Sequence, residues 1–262
     1  MDKENNTSYM STNDLMLKEF PLHRFCIQDL LPKGLSLLVS EKPEYTKSLA
    51  MDMCLSVASG CKLWDKEVQQ GPVLYITHKD TLPVTQGRIR TMAERVPDDL
   101  YVGVLEESSI RNAATLAQGF LEEHPNTTMV LVELEGTVLT SSEGVSVLPD
   151  RQLDYSIMKS FAECNKLTVV LMHPSIASAR SLLHGFPAKS VNITEKLDSW
   201  FELQPYVLTE SRAALRRTSR AFGNRGWKIK FDSQTHRWVR VKELEDYMTF
   251  PDLDADSGES EG

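Results

Sequence analysis

The stretch LPKGLSLLVSEKPEYTKSLAMDMCL, residues 31–55, decides how this chain folds. Residues 35–39 are a short apolar run of strand length, SEKPEYTKS reads as a loop, and a helix is expected to open at Lys47-Ser48. Strand, tight turn and helix N-terminus together form an anion site, because the first N–H groups of a helix have no partner within it. Lys47 and Ser48 are the pair that a phosphate-binding loop carries at this point. The glycines that let backbone amides wrap a phosphate are missing. Ser40 stands where the first belongs, and Thr46 precedes the lysine. A β-branched residue resists positive φ and brings a Cβ into the space of the phosphate. Glu41 and Glu44 add negative charge beside the anion position.

Outward from this stretch, strands alternate with helices. Apolar runs at 73–77 (VLYIT), 100–105, 129–135 (MVLVELE) and 168–174 (TVVLMHP) read as strands. Residues 82–96, 112–123 and 153–164 read as the helices between them. This spacing implies an α/β fold with a mostly parallel central sheet and helices on both faces. Beyond Pro174 the pattern loosens: 176–183 fits a short helix or a loop, and 199–208 a strand interrupted by Pro205. A C-terminal β-hairpin follows in WKIKFDSQTHRWVRV, with its turn at DSQT. The expected organisation is a flexible arm over 1–20, one domain over 21–245 with a basic hairpin region at about 212–241, and an acidic disordered tail over 246–262.

With 262 residues the chain is long enough for one well-buried domain, and its net charge of −8 argues against indiscriminate coating of nucleic acid. A local basic patch remains compatible with that charge. The four cysteines lack CxxC spacing; Cys26, Cys54 and Cys164 lie in or beside apolar runs and are expected as buried thiols. There is no secretory pattern at the N-terminus and no stretch of ~18 apolar residues, so a reducing cytoplasm is the expected compartment, with no membrane partner.

PKGLSLLVSEKP, KSLAMDMCLSVASG and QGPVLYITHKD resemble the RecA-like P-loop ATPase family that includes the hexameric plasmid replicative helicase RepA, and the resemblance runs from Leu30 to about Val241. It implies a RecA-like P-loop NTPase fold and names stations at which hydrolysis would be carried out. Lys47 matches the lysine on the β- and γ-phosphates, and Ser48 the hydroxyl on Mg²⁺; with Thr46 they are the nucleotide-binding candidates, for weak ATP and Mg²⁺ at most. Glu133 stands where the family places a metal-organising aspartate, one methylene too long for an ion that tolerates little positional error. Lys79, followed by Asp80, occupies the position of the water-polarising glutamate, and a protonated lysine takes no proton from water. His78 is a formal substitute base. His173 keeps the first of a histidine pair, and Pro174 replaces the second. In ALRRTSRAF, Arg220 matches the arginine of the late signature A-x-L-x-x-T-G-R-D, whose glycine and aspartate are here Ser219 and Ala221. As a finger, Arg220 would reach toward its own or a neighbour's nucleotide. The glycines, the aspartate, the glutamate and the histidine pair depart together, so efficient ATP turnover is not expected, and no cofactor is required.

Residues 212–230 carry Arg212, Arg216, Arg217, Arg220, Arg225, Lys228 and Lys230 without one acid, and Arg237, Trp238 and Arg240 follow. Cations interleaved with Trp227 and Trp238 suit phosphate contact with base stacking, on single- or double-stranded DNA. The alternative is a solvated face whose tryptophans pack inward. The acidic tail, opposite in sign, can fold over this run and compete with DNA. The favoured reading is a pseudo-ATPase of RecA-like fold that serves as a DNA-binding or replication-associated scaffold or regulator. The resemblance implies assembly as a homo-oligomer, or as a hetero-oligomer with a competent ATPase. A RepA-type helicase with unusual catalytic residues and a protein-interaction module without nucleic acid are the alternatives.

Overall fold

The computed structural model describes residues 10–18, 24–78, 80–135, 138–141, 144–147, 155–177, 191–192, 196–206 and 211–244. The first half contains α1 (Thr12–Leu17), β1 (Phe25–Ile27), β2 (Leu31–Pro32), β3 (Gly34–Ser40), α2 (Pro43–Ser59), β4 (Val73–Thr77), α3 (Leu82–Met92), β5 (Leu100–Val104), α4 (Ile110–Glu123) and β6 (Met129–Glu133). The second contains β7 (Val138–Ser141), β8 (Gly144–Val147), α5 (Tyr155–Asn165), β9 (Thr168–Ala177), β10 (Val191–Asn192), β11 (Ser199–Pro205), β12 (Arg212–Ser219), β13 (Arg225–Asp232) and β14 (Arg237–Leu244).

The apolar runs become the interior of one sheet. Parallel strands lie in the order β5-β4-β6-β9-β3-β11, and β12, β13 and β14 extend it as an antiparallel wing. β7, β8 and β10 continue from the end of β9. The α/β expectation therefore holds, with the mostly parallel sheet between two helical layers. Leu49, Met53 and Val57 of α2 and Ile89 and Met92 of α3 pack on one face of the sheet with Trp227 and Trp238. Ala113 and Ala117 of α4 and Met158 and Ala162 of α5 pack on the other with Leu37, Val130 and Leu171. Continuous apolar strands are what a parallel sheet covered on both faces requires.

The entry to β3 is fixed by one close approach. Gly34 has φ +97°, and a Cβ there would run into the Asp198 carboxylate. That carboxylate accepts from the Leu35 N–H at 2.8 Å and from Lys159 Nζ at 2.6 Å. A side chain at 34 would break the lock between β3, α5 and the segment leading into β11.

Several expectations need correction. α2 opens at Pro43, four residues before Lys47, because proline suits the first turn of a helix, where its missing N–H costs nothing. α3 stops at Met92, and the Ala93 N–H closes its last turn on the Ile89 carbonyl. Residues 176–177 belong to β9 rather than to a helix; 178–183 lie outside the described residues. Cys26 and Cys54 are buried, but Cys164 is exposed, as is Cys61. Within the expected N-terminal arm, Thr12–Leu17 is helical, with the Ser11 hydroxyl accepting from the Asp14 N–H at 3.0 Å. Residues 1–9 and 19–23 of the N-terminal region lie outside the described residues, as does the acidic tail. Among the described residues no helix is long and apolar enough to cross a membrane.

Candidate functional site

In an open α/β sheet, ligands sit beyond the carboxyl ends of the strands. Here those ends bring together Ser40 of β3, Thr77 and Asp80 after β4, Glu133 of β6 and His173 of β9, with Lys47 above them on α2. The sequence-selected Lys47, Glu133 and His173 thus share one place. Their chemistry differs from the expected one.

Lys47 Nζ lies 2.8 Å from Asp80 Oδ1 and 3.3 Å from Glu133 Oε1. Arg88 of α3 binds the second Asp80 oxygen at 2.7 Å. Burial pushes the Asp80 carboxyl up, but hydrogen bonds and charge from Lys47 and Arg88 outweigh it and hold the group below the usual carboxylate range. Glu133 is buried and accepts from the Tyr75 hydroxyl at 2.5 Å and from the Thr77 hydroxyl at 2.7 Å. Burial and the neighbouring Glu133 charge push the Tyr75 phenol well up, so it stays a donor. The result is a closed ion network in which the lysine and both acids are already engaged. Tyr75, Thr77 and Arg88 were not visible as site residues in the sequence, since nothing marks a strand-interior tyrosine as the partner of an acid 58 residues away.

The backbone is equally unsuited to a phosphate. Only Glu41 and Lys42 separate β3 from α2, so the first helical turn occupies the span of the expected loop. The Thr46 N–H already points at the Lys42 carbonyl, 3.5 Å away, and the Tyr45 N–H at the same oxygen at 3.1 Å. No residue from 40 to 47 has positive φ, so the N–H groups do not converge as they do in an anion nest. The cleft above Lys47, lined by Pro43, Thr46, Glu133, His173 and Pro174, has a volume of about 70 Å³. Ligand pockets are roughly 300–1,000 Å³. A triphosphate at this point would have to exchange with the contacts of Lys47 to Asp80 and Glu133. The residues present do not fit Mg·ATP. A larger concavity of about 860 Å³ lies beside Ser56, Cys61, Arg90, Arg95 and Arg237, away from the strand ends that hold Lys47.

The remaining stations fall as follows. His173 is buried, with Nε2 3.0 Å from the Tyr155 hydroxyl. His78 Nδ1 donates to the Leu105 carbonyl at 3.2 Å, and Nε2 lies 3.5 Å from Glu135. Lys79 lies outside the described residues. Ser48 is buried in α2. Arg220 is exposed just past the end of β12. The register pairs Ser219 with Ser199 and Ser199 with Ser36, near the amino end of β3, whereas Lys47 stands beyond the carboxyl end. At ~3.3 Å per residue, Arg220 is on the order of 15 Å or more from the cleft of its own chain, so a role as finger in its own site is excluded.

The basic run divides by face. In a strand, alternate side chains point to opposite sides. Arg217 (1% exposed) points into the core and donates to the carbonyls of Asp29, Leu30 and Phe222 at 2.8–3.2 Å. Burial and the nearby Arg225 charge lower its pKa to about 10. Trp238 (1% exposed) packs edge-on to Tyr45 and donates to the Tyr45 carbonyl at 3.2 Å, while the Trp64 indole donates to the Trp238 carbonyl at 2.6 Å. Trp227 is buried as well. Neither expected stacking ring is open to a base. Arg237 donates to Asp52 at 2.7 Å, Arg225 pairs with Glu243 at 3.0 Å, and Arg240 lies 3.5 Å from Asp65. These six positions serve the fold.

Arg212, Arg216, Lys228 and Lys230 form the opposite, outer face, and Lys242, which the sequence reading left out, joins them. The register sets Arg212 across from Lys230 and Lys228 across from Lys242. Like charges directly opposite one another destabilise a sheet. Glu202, across from Arg216, is the acid in this array. Lys228 is buried, with its ammonium 5.9 Å over the Tyr206 ring, whereas Lys230 and Lys242 are exposed.

No family model matches the chain, and no curated protein matches it in sequence. Solved structures do match it in shape. The crystal structure of the RadB recombinase superposes with a TM-score of 0.52 at 12% identity, over 80% of this chain and 91% of that one. The fold is RecA-like. Taken with the strand order and the place of Lys47, this supports the fold expectation, and the likeness extends to fold alone.

Proposed function

We propose that this RecA-like chain is a pseudo-ATPase that acts without nucleotide turnover, as a nucleic-acid-associated scaffold or regulator, in replication or a related DNA transaction. The observation that carries the first half is the closed cleft. Helix α2 opens at Pro43 and Lys47 is tied to Asp80 and Glu133, so neither backbone nor side chain is left for a phosphate. The second half is supported by the outer face of β12–β14, where cations stand opposite cations across the strands. A polyanion laid along these strands relieves that repulsion and releases its own counterions. A recombinase of the same fold among the solved structures fits a DNA-associated role. The partners we assign are DNA and further copies of a RecA-like chain, either this one or a competent ATPase, within the cytoplasm.

The test of the nucleic-acid half is a titration of the intact chain with labelled single-stranded DNA at rising salt. Log affinity is expected to fall linearly with log salt, and combined reversal at Arg212→Glu, Arg216→Glu and Lys230→Glu is expected to abolish binding. Absence of binding at about 50 mM salt by the unmodified chain and by its tail-neutralised form removes DNA from the account.

A further inference from the structure

The chain is acidic as a whole, yet the acid is concentrated in one place. Residues 245–262 contain seven acids and no base, so the preceding 244 residues carry a net charge of only −1. That segment begins where β14 ends. Leu244 pairs with Gly226, and Gly226 pairs with Arg216, so these three residues form one row across the sheet. Leu244 also folds over that row: a Cβ on Gly226 would meet its Cδ1 at 3.0 Å. Leu244, the last residue of β14, thus has its side chain on the cationic side, about two strand spacings, ~10 Å, from Arg216.

We propose that residues 245–262 dock in the same molecule on the outer face of β12–β14 and compete there with nucleic acid. The competition rests on the nucleic-acid reading of that face; the docking does not. The charges are complementary, since Arg212, Lys230 and Lys242 lie on that face and the carboxylates of the segment recur at 252, 254 and 256. Alternate acids of an extended segment present carboxylates on one side at a repeat of ~6.6 Å. The reach is sufficient. Eight residues from Leu244 to Asp252 span up to ~26 Å, and crossing from β14 to β12 takes ~10 Å. A tethered segment acts at an effective concentration in the ~mM range, so contacts too weak to hold a free peptide suffice to occupy the face. An incoming strand with more phosphates displaces it.

Two readouts on the full-length chain test this. Zero-length carbodiimide coupling, without DNA, is expected to join tail carboxylates to Lys230 within one molecule, and about 0.5 M salt is expected to suppress the product. Lys242 is too near the tail to be informative. Absence of a tail–Lys230 product at low salt overturns the docking. Neutralising the tail (D252N, D254N, D256N, E259Q, E261Q) is expected to tighten single-stranded DNA binding about tenfold or more at 50 mM salt, with the gain closing as salt rises. Unchanged DNA affinity in that variant overturns the competition. Coupling to Lys230 without DNA binding by either form refutes the nucleic-acid reading of the face and leaves the docking intact, so the two failures are told apart.

Discussion

At the carboxyl ends of β3, β4 and β6, opposite charges meet within 3.5 Å, whereas on the outer side of β12–β14 like charges stand across from one another. The first region has spent its charge internally. Lys47, Asp80, Arg88 and Glu133 satisfy one another beneath a helix turn, and little is left with which to hold a ligand. The second keeps exposed cations, Lys230 and Lys242, with Glu202 as the acid across from Arg216. The stations at the strand ends thus hold one another, while the antiparallel wing, away from the cleft, presents the exposed cations on which the proposed binding rests.

The largest test of this contrast sets a buried cation of the basic run against an exposed one. Arg217→Met is expected to cost about 3–5 kcal/mol, because the carbonyls of Asp29, Leu30 and Phe222 lose their buried donor. Lys230→Met, on the exposed side of β13, is expected to change stability by no more than about 0.5 kcal/mol while weakening DNA binding. Urea unfolding of the pair reads both, and equal losses would erase the division by face.

Next in size is Lys47→Met. In a working nucleotide site this change removes ligand affinity and leaves the fold alone. Here it leaves Glu133 without its cation and Asp80 with Arg88 alone, and about 2 kcal/mol of stability is expected to go. Unchanged stability would mean that the network does not brace the site.

The smallest effect is a pH dependence. Asp80 is held below the ordinary carboxylate range, so its contribution is complete above the unfolded value of ~3.9 and is lost as pH falls through the lower folded value. Asp52 has the opposite sign: burial, only partly offset by Arg237, raises it, and its contribution fades as pH rises through the folded value. Asp80→Asn should therefore flatten the acid limb of stability below about pH 4, and Asp52→Asn should flatten the opposing slope just above it. Identical pH profiles for both variants would contradict the assigned environments.

Much of the fold was legible. The runs that form β4 and β6 are buried from end to end because both faces are covered, and β4 matches its expected span of 73–77. The opening of α2 was misplaced because Lys47-Ser48 drew attention as a motif, although Pro43 was the local helix-start signal. β12 was hidden by its own charge: Arg217 and Lys230 look alike in a linear run of cations, and only the sheet separates a buried cation from an exposed one. The partners of Glu133 were out of reach, since Tyr75 and Thr77 meet it only through the pairing of β4 with β6.

The central claim is that the strand-end cleft no longer takes nucleotide. Calorimetric titration of the intact chain with Mg·ATP tests it most directly. The account predicts no saturable heat up to about 1 mM nucleotide, a free energy weaker than about −4 kcal/mol, with or without single-stranded DNA. Saturable, Mg-dependent binding in the ~μM range that disappears in Lys47→Ala would contradict it and restore Lys47 and Ser48 as a working phosphate site.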